Sequence, residues 1–342
     1  MTVEEATWFA SAVAEDPSAV GTTYLEALRL ALSDLLAENE KVLLLGEDIG
    51  TMGGAFRVTA GLQERFGTAR VMDTPMSESA IVGCAIGMAL QGWRPIVELQ
   101  FADFISCCYD QLVNEAAKLH YRFGLAVPIV VRCPSGGALS AGPFHSQCPE
   151  GVFAHIPGLK IVCPATVQDA YSLLRASVAD PDPVLFFEQK ALYRSQKAPL
   201  DRSQPAELGV AAVRRPGGSL SVVTYGSMLP RTLAAADRLS EEGIEAEVID
   251  LRSLVPLDID TVAASVARTG RLAVVHEDTY TSGFAAEVVT RLAESEVLYA
   301  LDAPICRVTA PDTPVPSSPV LEERYVPSVA RIVSALREVA RA

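Results

Sequence analysis

Aromatic residues are scarce in this 342-residue chain, at 6% with two tryptophans, so any core must be built mainly from aliphatic side chains. Basic residues also fall short, 28 Lys and Arg against 42 Asp and Glu, for a formal charge of -14. That sign does not suit a chain whose main partner is a nucleic-acid backbone or an anionic membrane surface. Long apolar runs are missing. The longest, 80–90, is about half of what spans a bilayer and is interrupted by Gly83 and Gly87, so no membrane span is expected. The first eighteen residues carry Glu4, Glu5, Glu15 and Asp16 and lack the basic flank and apolar centre of a signal peptide. The seven cysteines are odd in number and include no C-x-x-C or zinc-like spacing. They read as reduced, mostly buried small hydrophobes of a cytoplasmic protein, since the vicinal Cys107-Cys108 pair bridges only with strain. No G-x-S-x-G elbow, G-x-G-x-x-G turn or G-K-[ST] loop occurs, which argues against a serine hydrolase and the common nucleotide loops.

What is present is 49% apolar and 20% charged residues over more than twice a typical domain length, the profile of a globular chain of two domains. Short aliphatic runs alternate with helical patterns, which predicts an α/β fold with mostly parallel sheets. Strands are expected at 42–45, 96–99, 129–132, 160–163 and 184–188, with helices at 23–38, 78–91, 104–118 and 167–178. A polar, two-proline stretch at 195–205 lacks periodicity and reads as a linker. Beyond it the pattern restarts, with strands at 220–225, 246–249, 272–276 and 305–309 and helices at 229–242, 259–267, 285–293 and 327–340. The resulting division is an N-terminal tail at 1–20, a first domain at 21–195, a linker at 196–206 and a second domain at 207–342.

Parallel sheets bind ligands at the carboxyl ends of their strands, which selects three segments. The first, with Glu47 and Asp48, follows the strand at 42–45 directly; taken alone it reads equally as a charged turn. The second is Asp73-Thr-Pro-Met-Ser-Glu78, in which Ser77 or Thr74 is placed to cap a helix starting at Glu78. That helix is almost wholly apolar or small after Glu78, so it is expected to be buried on every face, which would raise the pKa of Glu78. Gly83 and Gly87, four apart, would let a second backbone approach as at a subunit interface. The third is a glycine-rich loop from Gly136 that ends in His145-Ser146-Gln147 and offers an imidazole at a strand end.

These residues carry a resemblance. Glu78 with Gly83 and Gly87, preceded by Thr-Pro-Met-Ser, resembles the pyrimidine-binding helix of thiamine-diphosphate enzymes of the transketolase group. Gln100-Phe-Ala-Asp-Phe104, Asp110-Gln-Leu-Val-Asn-Glu-Ala-Ala-Lys118, Phe144-His-Ser-Gln147 and Pro157-Gly-Leu-Lys-Ile-Val162 are similar to the beta subunit of the decarboxylating component of 2-oxo acid dehydrogenase complexes. His276-Glu277, Gly283-Phe-Ala-Ala-Glu287 and Asp312-Thr-Pro-Val-Pro316 match that family's C-terminal domain, so the resemblance covers about residues 20 to 340.

The resemblance implies a transketolase-like pyrimidine-binding domain plus a transketolase C-terminal-like domain. It implies an α2β2 heterotetramer with an alpha subunit, a lipoyl-bearing acyltransferase core as further partner, and a small 2-oxo acid as substrate. It makes Glu78 and His145 catalytic. Glu78 would bond the pyrimidine nitrogen of thiamine diphosphate, and His145 would assist acyl transfer to the lipoyl arm. Glu47, Met76, Gln100 and Phe104 join Glu78 as cofactor-binding residues, Met76 through its main-chain carbonyl and Phe104 through its ring. The family's G-D-G motif for diphosphate and Mg2+ occurs nowhere in this chain, so the alpha subunit would supply it. Some beta subunits hold K+ through main-chain carbonyls aligned with 177–182, here Ser177, Asp180 and Asp182; Pro181 departs from the usual residue, but carbonyl ligation does not depend on side chains. The 145–150 and 185–188 segments resemble the branched-chain type slightly more than the pyruvate or acetoin types. Two other readings stay open. One is a free-standing enzyme forming acyloins by decarboxylative carbon-carbon bond formation, and the other is a non-catalytic scaffold.

Overall fold

The computed structural model describes residues 21–137 and 139–342; the expected tail at 1–20 lies outside the described residues. Two mostly parallel sheets carry the fold, as expected. The larger has seven strands in the order Ser253–Val255, Lys160–Val162, Val184–Gln189, Val130–Ser135, Arg94–Glu98, Val42–Gly46 and Val71–Asp73. Neighbours are parallel except for the edge strand Ser253–Val255. The smaller runs Cys306–Ala310, Leu272–Thr279, Leu220–Thr224, Ala246–Asp250 and Ala212–Arg215, with the last antiparallel.

Strands such as Val42–Gly46 are aliphatic without alternation because helices cover both faces of the sheet. Val42 and Leu44 enter one hydrophobic cluster with Leu28, Leu32 and Leu174, while Leu43 and Leu45 enter another with Val82, Val97 and Ile105. The helix Tyr24–Glu38 begins at a capping box. Thr23 Oγ1 accepts from the Glu26 N–H at 3.1 Å, and the Glu26 carboxylate accepts from the Thr23 N–H at 2.7 Å. Thr166 caps Val167–Ala179, its hydroxyl accepting from the Asp169 N–H at 3.1 Å.

Four features depart from the sequence reading. The expected helix at 104–118 is broken into a 3-10 segment Ala102–Cys108, a π-helical turn Gln111–Ala116 and the α-helix Ala117–Phe123. The irregularity coincides with a close approach: a Cβ on Gly158 would lie 1.9 Å from the Ala117 carbonyl oxygen. The linker region is not structureless, because Lys197–Ala198 pairs with Thr22–Thr23. Ser253–Val255, three residues between Arg252 at φ 58 and Pro256, crosses from the second half to the edge of the first sheet and was too short to show in the pattern. Finally, the helix Glu78–Leu90 is not buried all round. Ile81, Val82, Ala85, Ile86 and Ala89 face the core, but Ala80, Gly83, Cys84, Gly87 and Leu90 are exposed because nothing among the described residues covers them.

All seven cysteines are free thiols, most of them buried. No helix among the described residues is long and apolar enough to cross a membrane.

Candidate active site

Sheet order brings four strand ends into a row. The loops after Val130–Ser135, Arg94–Glu98, Val42–Gly46 and Val71–Asp73 lie side by side, and they carry His145, Gln100, Glu47 and Met76 respectively. Glu78 opens the helix that follows the last of these. Glu47 is half-buried, and burial first, then the charges of Asp48 and Glu78, push its pKa up. Glu78 is half-buried rather than enclosed, which corrects the expectation drawn from its apolar helix. Ser77 occupies the capping position without making a cap bond, and the Thr74 hydroxyl is buried with no partner, so neither side chain caps this helix.

Asp48 adopts φ 59 and accepts from Gln100 Nε2 at 3.2 Å, which ties the Glu47 turn to the Gln100 strand. The Phe104 ring meets His145 edge-on at 5.6 Å between centroids, and Phe101 meets it at 4.6 Å. Met76 stands 76% exposed and Phe144 71% exposed. The six residues anticipated from sequence thus share one sheet edge. They comprise two carboxylates, an amide, an imidazole and two apolar groups, with no lysine or arginine. This donor set fits a weakly basic aromatic ring and offers no cation for a diphosphate. Among the described residues, no group of three His, Cys, Asp or Glu is placed to hold a metal ion.

The 177–182 segment has cations of its own chain. Arg94 Nη1 donates to the carbonyls of Val178 at 2.5 Å and Asp180 at 3.3 Å. Lys160 Nζ reaches the Asp180 carboxylate at 2.7 Å and Asp182 at 3.2 Å, and the Ser177 carbonyl accepts from the Asp180 N–H.

Several residues around the site escaped the sequence reading. Asp103 Oδ1 accepts from Gln147 Nε2 at 2.9 Å and from its N–H at 3.2 Å, tying the Phe104 segment to the His145 loop. Lys190 is fully buried just beyond the strand Val184–Gln189, and its ammonium lies 5.7 Å from the Phe101 ring. A lone lysine ending a buried aliphatic strand was its only signal.

The two mostly parallel sheets are those of a transketolase-like chain. Residues 21–196 match the pyrimidine binding domain of transketolase and residues 209–332 its C-terminal domain. A solved structure described as a split gene transketolase, inactive beta4 tetramer, shares the fold with a TM-score of 0.77, at 22% identity over 94% of this chain and 99% of that one. The chain is 44% identical over 326 residues to the 2-oxoisovalerate dehydrogenase subunit beta of Bacillus subtilis (strain 168), covering 93% of this chain and 98% of the relative. It is 43% identical over 321 residues to the pyruvate dehydrogenase E1 component subunit beta of the same organism, with the same coverage. It is also 44% identical over 324 residues to the acetoin:2,6-dichlorophenolindophenol oxidoreductase subunit beta of Cupriavidus necator, covering 91% and 95%. The chain belongs to the family of 2-oxo acid dehydrogenase beta subunits.

Proposed function

We propose that this chain is the catalytic beta subunit of an α2β2, thiamine-diphosphate-dependent dehydrogenase that decarboxylates a branched-chain 2-oxo acid or pyruvate and passes the acyl group to a lipoyl domain. The observation that carries this reading is the placing of Glu47 and Glu78, and of the Phe104–His145 ring pair, at neighbouring strand ends of one sheet. Thiamine diphosphate, when bound, supplies the nucleophilic carbon and the electron sink for loss of CO2. Glu78 shares a proton with the pyrimidine ring nitrogen, and the Met76 carbonyl orients the ring amino group. Phe104 supplies an apolar surface to the ring, while Glu47 and Gln100 complete this side of the pocket. His145 gives or takes a proton at the acyl group during its transfer.

The diphosphate and Mg2+ belong to the alpha subunit, a division supported by the absence of basic side chains among the six site residues. The same proposal makes 21–195 the pyrimidine-binding unit, 196–206 the connection, and 207–342 the unit that docks the acyltransferase core. K+ at 177–182 would add to the charges of Arg94 and Lys160, and no step depends on it. A cytoplasmic setting accords with seven free cysteines.

In the heterotetramer reconstituted with its alpha partner, Mg2+ and thiamine diphosphate, Glu78→Gln is expected to slow 2-oxo acid decarboxylation by about 10^2 to 10^4, the usual scale of a lost proton-transfer group. A variant working at the full rate, or a wild-type pair inert towards every 2-oxo acid, would refute the proposal. The similarity to acetoin-type beta subunits supports a second reading, in which the acceptor is a carbonyl compound and the product an acyloin. Product analysis with a lipoyl domain and with an aldehyde acceptor separates the two.

A further inference from the structure

Among its described residues, the 136–147 loop has little regular backbone bonding of its own. Its base is closed by the Gly136 N–H donating to the Gln147 carbonyl at 3.0 Å, and the His145 N–H donates to the Gly142 carbonyl at 3.3 Å. Besides the Asp103–Gln147 bonds, the loop is held from far along the chain. Glu277, at 6% exposure on the strand Leu272–Thr279, accepts from the Gly137 N–H at 2.5 Å through one oxygen and from the Ser227 hydroxyl through the other. Glu322, at 5% exposure on the helix Pro319–Tyr325, accepts from the Ser140 N–H at 2.9 Å and its hydroxyl at 3.2 Å. Bonds from backbone N–H groups to ionised carboxylates are stronger and more directional than neutral ones.

Sterics agree with the hydrogen bonds. A Cβ on Gly137 would stand 3.1 Å from Glu322 Oε1 and 3.4 Å from Glu277 Oε1, and one on Gly142 would stand 2.3 Å from Ser317 Oγ. The loop is therefore pressed against the second half where it has no side chains. Electrostatics agree as well. Lys190 is fully buried beside Phe101, the ring nearest His145, and Asp103, Cys148, Glu277 and Glu322 all act to hold its proton. Burial dominates and lowers its pKa to about 8 against the opposing pull of these groups.

We infer that Glu277 and Glu322 are positioning residues for His145, holding its loop from the second half of the chain. Neither carboxylate needs to touch substrate, because each acts through the loop backbone. The inference rests on the reading of His145 as the group that assists acyl transfer.

The test uses the reconstituted heterotetramer and two rates, reductive acylation of a free lipoyl domain and 2-oxo acid oxidation with 2,6-dichlorophenolindophenol as acceptor. Glu277→Gln and Glu322→Gln should each lower kcat for lipoyl acylation about tenfold, as expected for a weakened charged hydrogen bond, with KM for the 2-oxo acid unchanged and the dye reaction less affected. Adding either substitution to His145→Ala should cost nothing more. Losses that multiply, or both rates falling in parallel with thermal stability, would show a merely structural role and overturn the inference alone. His145→Ala acylating at the wild-type rate would overturn the reading of His145 and the inference with it. Ser227→Ala, which removes only the hydroxyl bracing Glu277, should show the same selectivity on a smaller scale and serves if Glu277→Gln does not fold; the wild-type ratio of the two rates there would count against the inference.

Discussion

Arg132 and Glu188 are joined at two points across neighbouring parallel strands, Nε to Oε1 at 2.6 Å and Nη2 to Oε2 at 2.8 Å. Arg132 also bonds Glu98 on the strand to its other side, and Glu188 accepts from the Tyr193 hydroxyl at 2.8 Å. All four side chains are buried, and burial already pushes the Glu98 carboxyl up despite Arg132. The network lies under the row of strand ends that carries the site, where a Cβ on Gly54 would stand 2.4 Å from Glu98 Oε1.

Removing its single cation leaves two carboxylates buried together. Arg132→Met should therefore destabilise the chain by about 3–5 kcal/mol, the scale for breaking a buried pair by taking away one partner. Equilibrium urea unfolding measures this directly. A loss under about 1 kcal/mol would mean that water or protonation relieves the carboxylates at little cost.

Glu150 supplies a pH prediction. It is wholly buried at the start of Glu150–Ala154, and neither carboxyl oxygen makes a hydrogen bond. Burial, then the charge of Asp278, raises its pKa from 4.5 to about 8. Between these values the folded chain keeps a proton that the unfolded chain has released, so this group's contribution to stability declines as pH rises through the window. Glutamine does not titrate. Glu150→Gln should accordingly gain on wild type by about 2 kcal/mol or more between pH 5 and pH 8. An equal difference at both pH values would show that Glu150 is ionised in the folded state.

The outward face of Glu78–Leu90 makes a prediction about assembly. A Cβ on Gly87 meets nothing within 4 Å, and Gly87 shares its exposed face with Gly83, Cys84 and Leu90. Gly87→Leu should leave the isolated chain as stable as before, or more so by about 0.5–1 kcal/mol, since glycine is a poor helix residue. If this face receives a helix of the alpha subunit, the added side chain blocks close approach, and light scattering should show heterotetramer formation weakened at least about tenfold. Unimpaired assembly would place the subunit contact elsewhere.

Most elements of regular structure were legible because their signals are local. Aliphatic strands such as Val42–Gly46 and the spacing around Glu78 are each written within a few residues. The π-helical turn at Gln111–Ala116 was not legible, because it coincides with a contact to Gly158 more than forty positions on, and helical periodicity carries no trace of that. Ser253–Val255 was missed because three residues are too few to show a period.

The site divides in the same way. By itself the sequence determined the chemistry on offer, an acid at 78, another at 47, an imidazole at 145 and an aromatic ring at 104, because residue types beside strand ends and glycine turns can be read in order. Tertiary structure decided which of these groups meet, since sheet order rather than chain order sets adjacent strand ends side by side. It also decided that the outer face of the Glu78 helix stays open among the described residues, because apolar character calls for a cover without saying who provides it. The carboxylates that hold the His145 loop stand 140 and 182 residues from the backbone they bind, a pairing that follows from how the second sheet packs against the first and that no local pattern encodes.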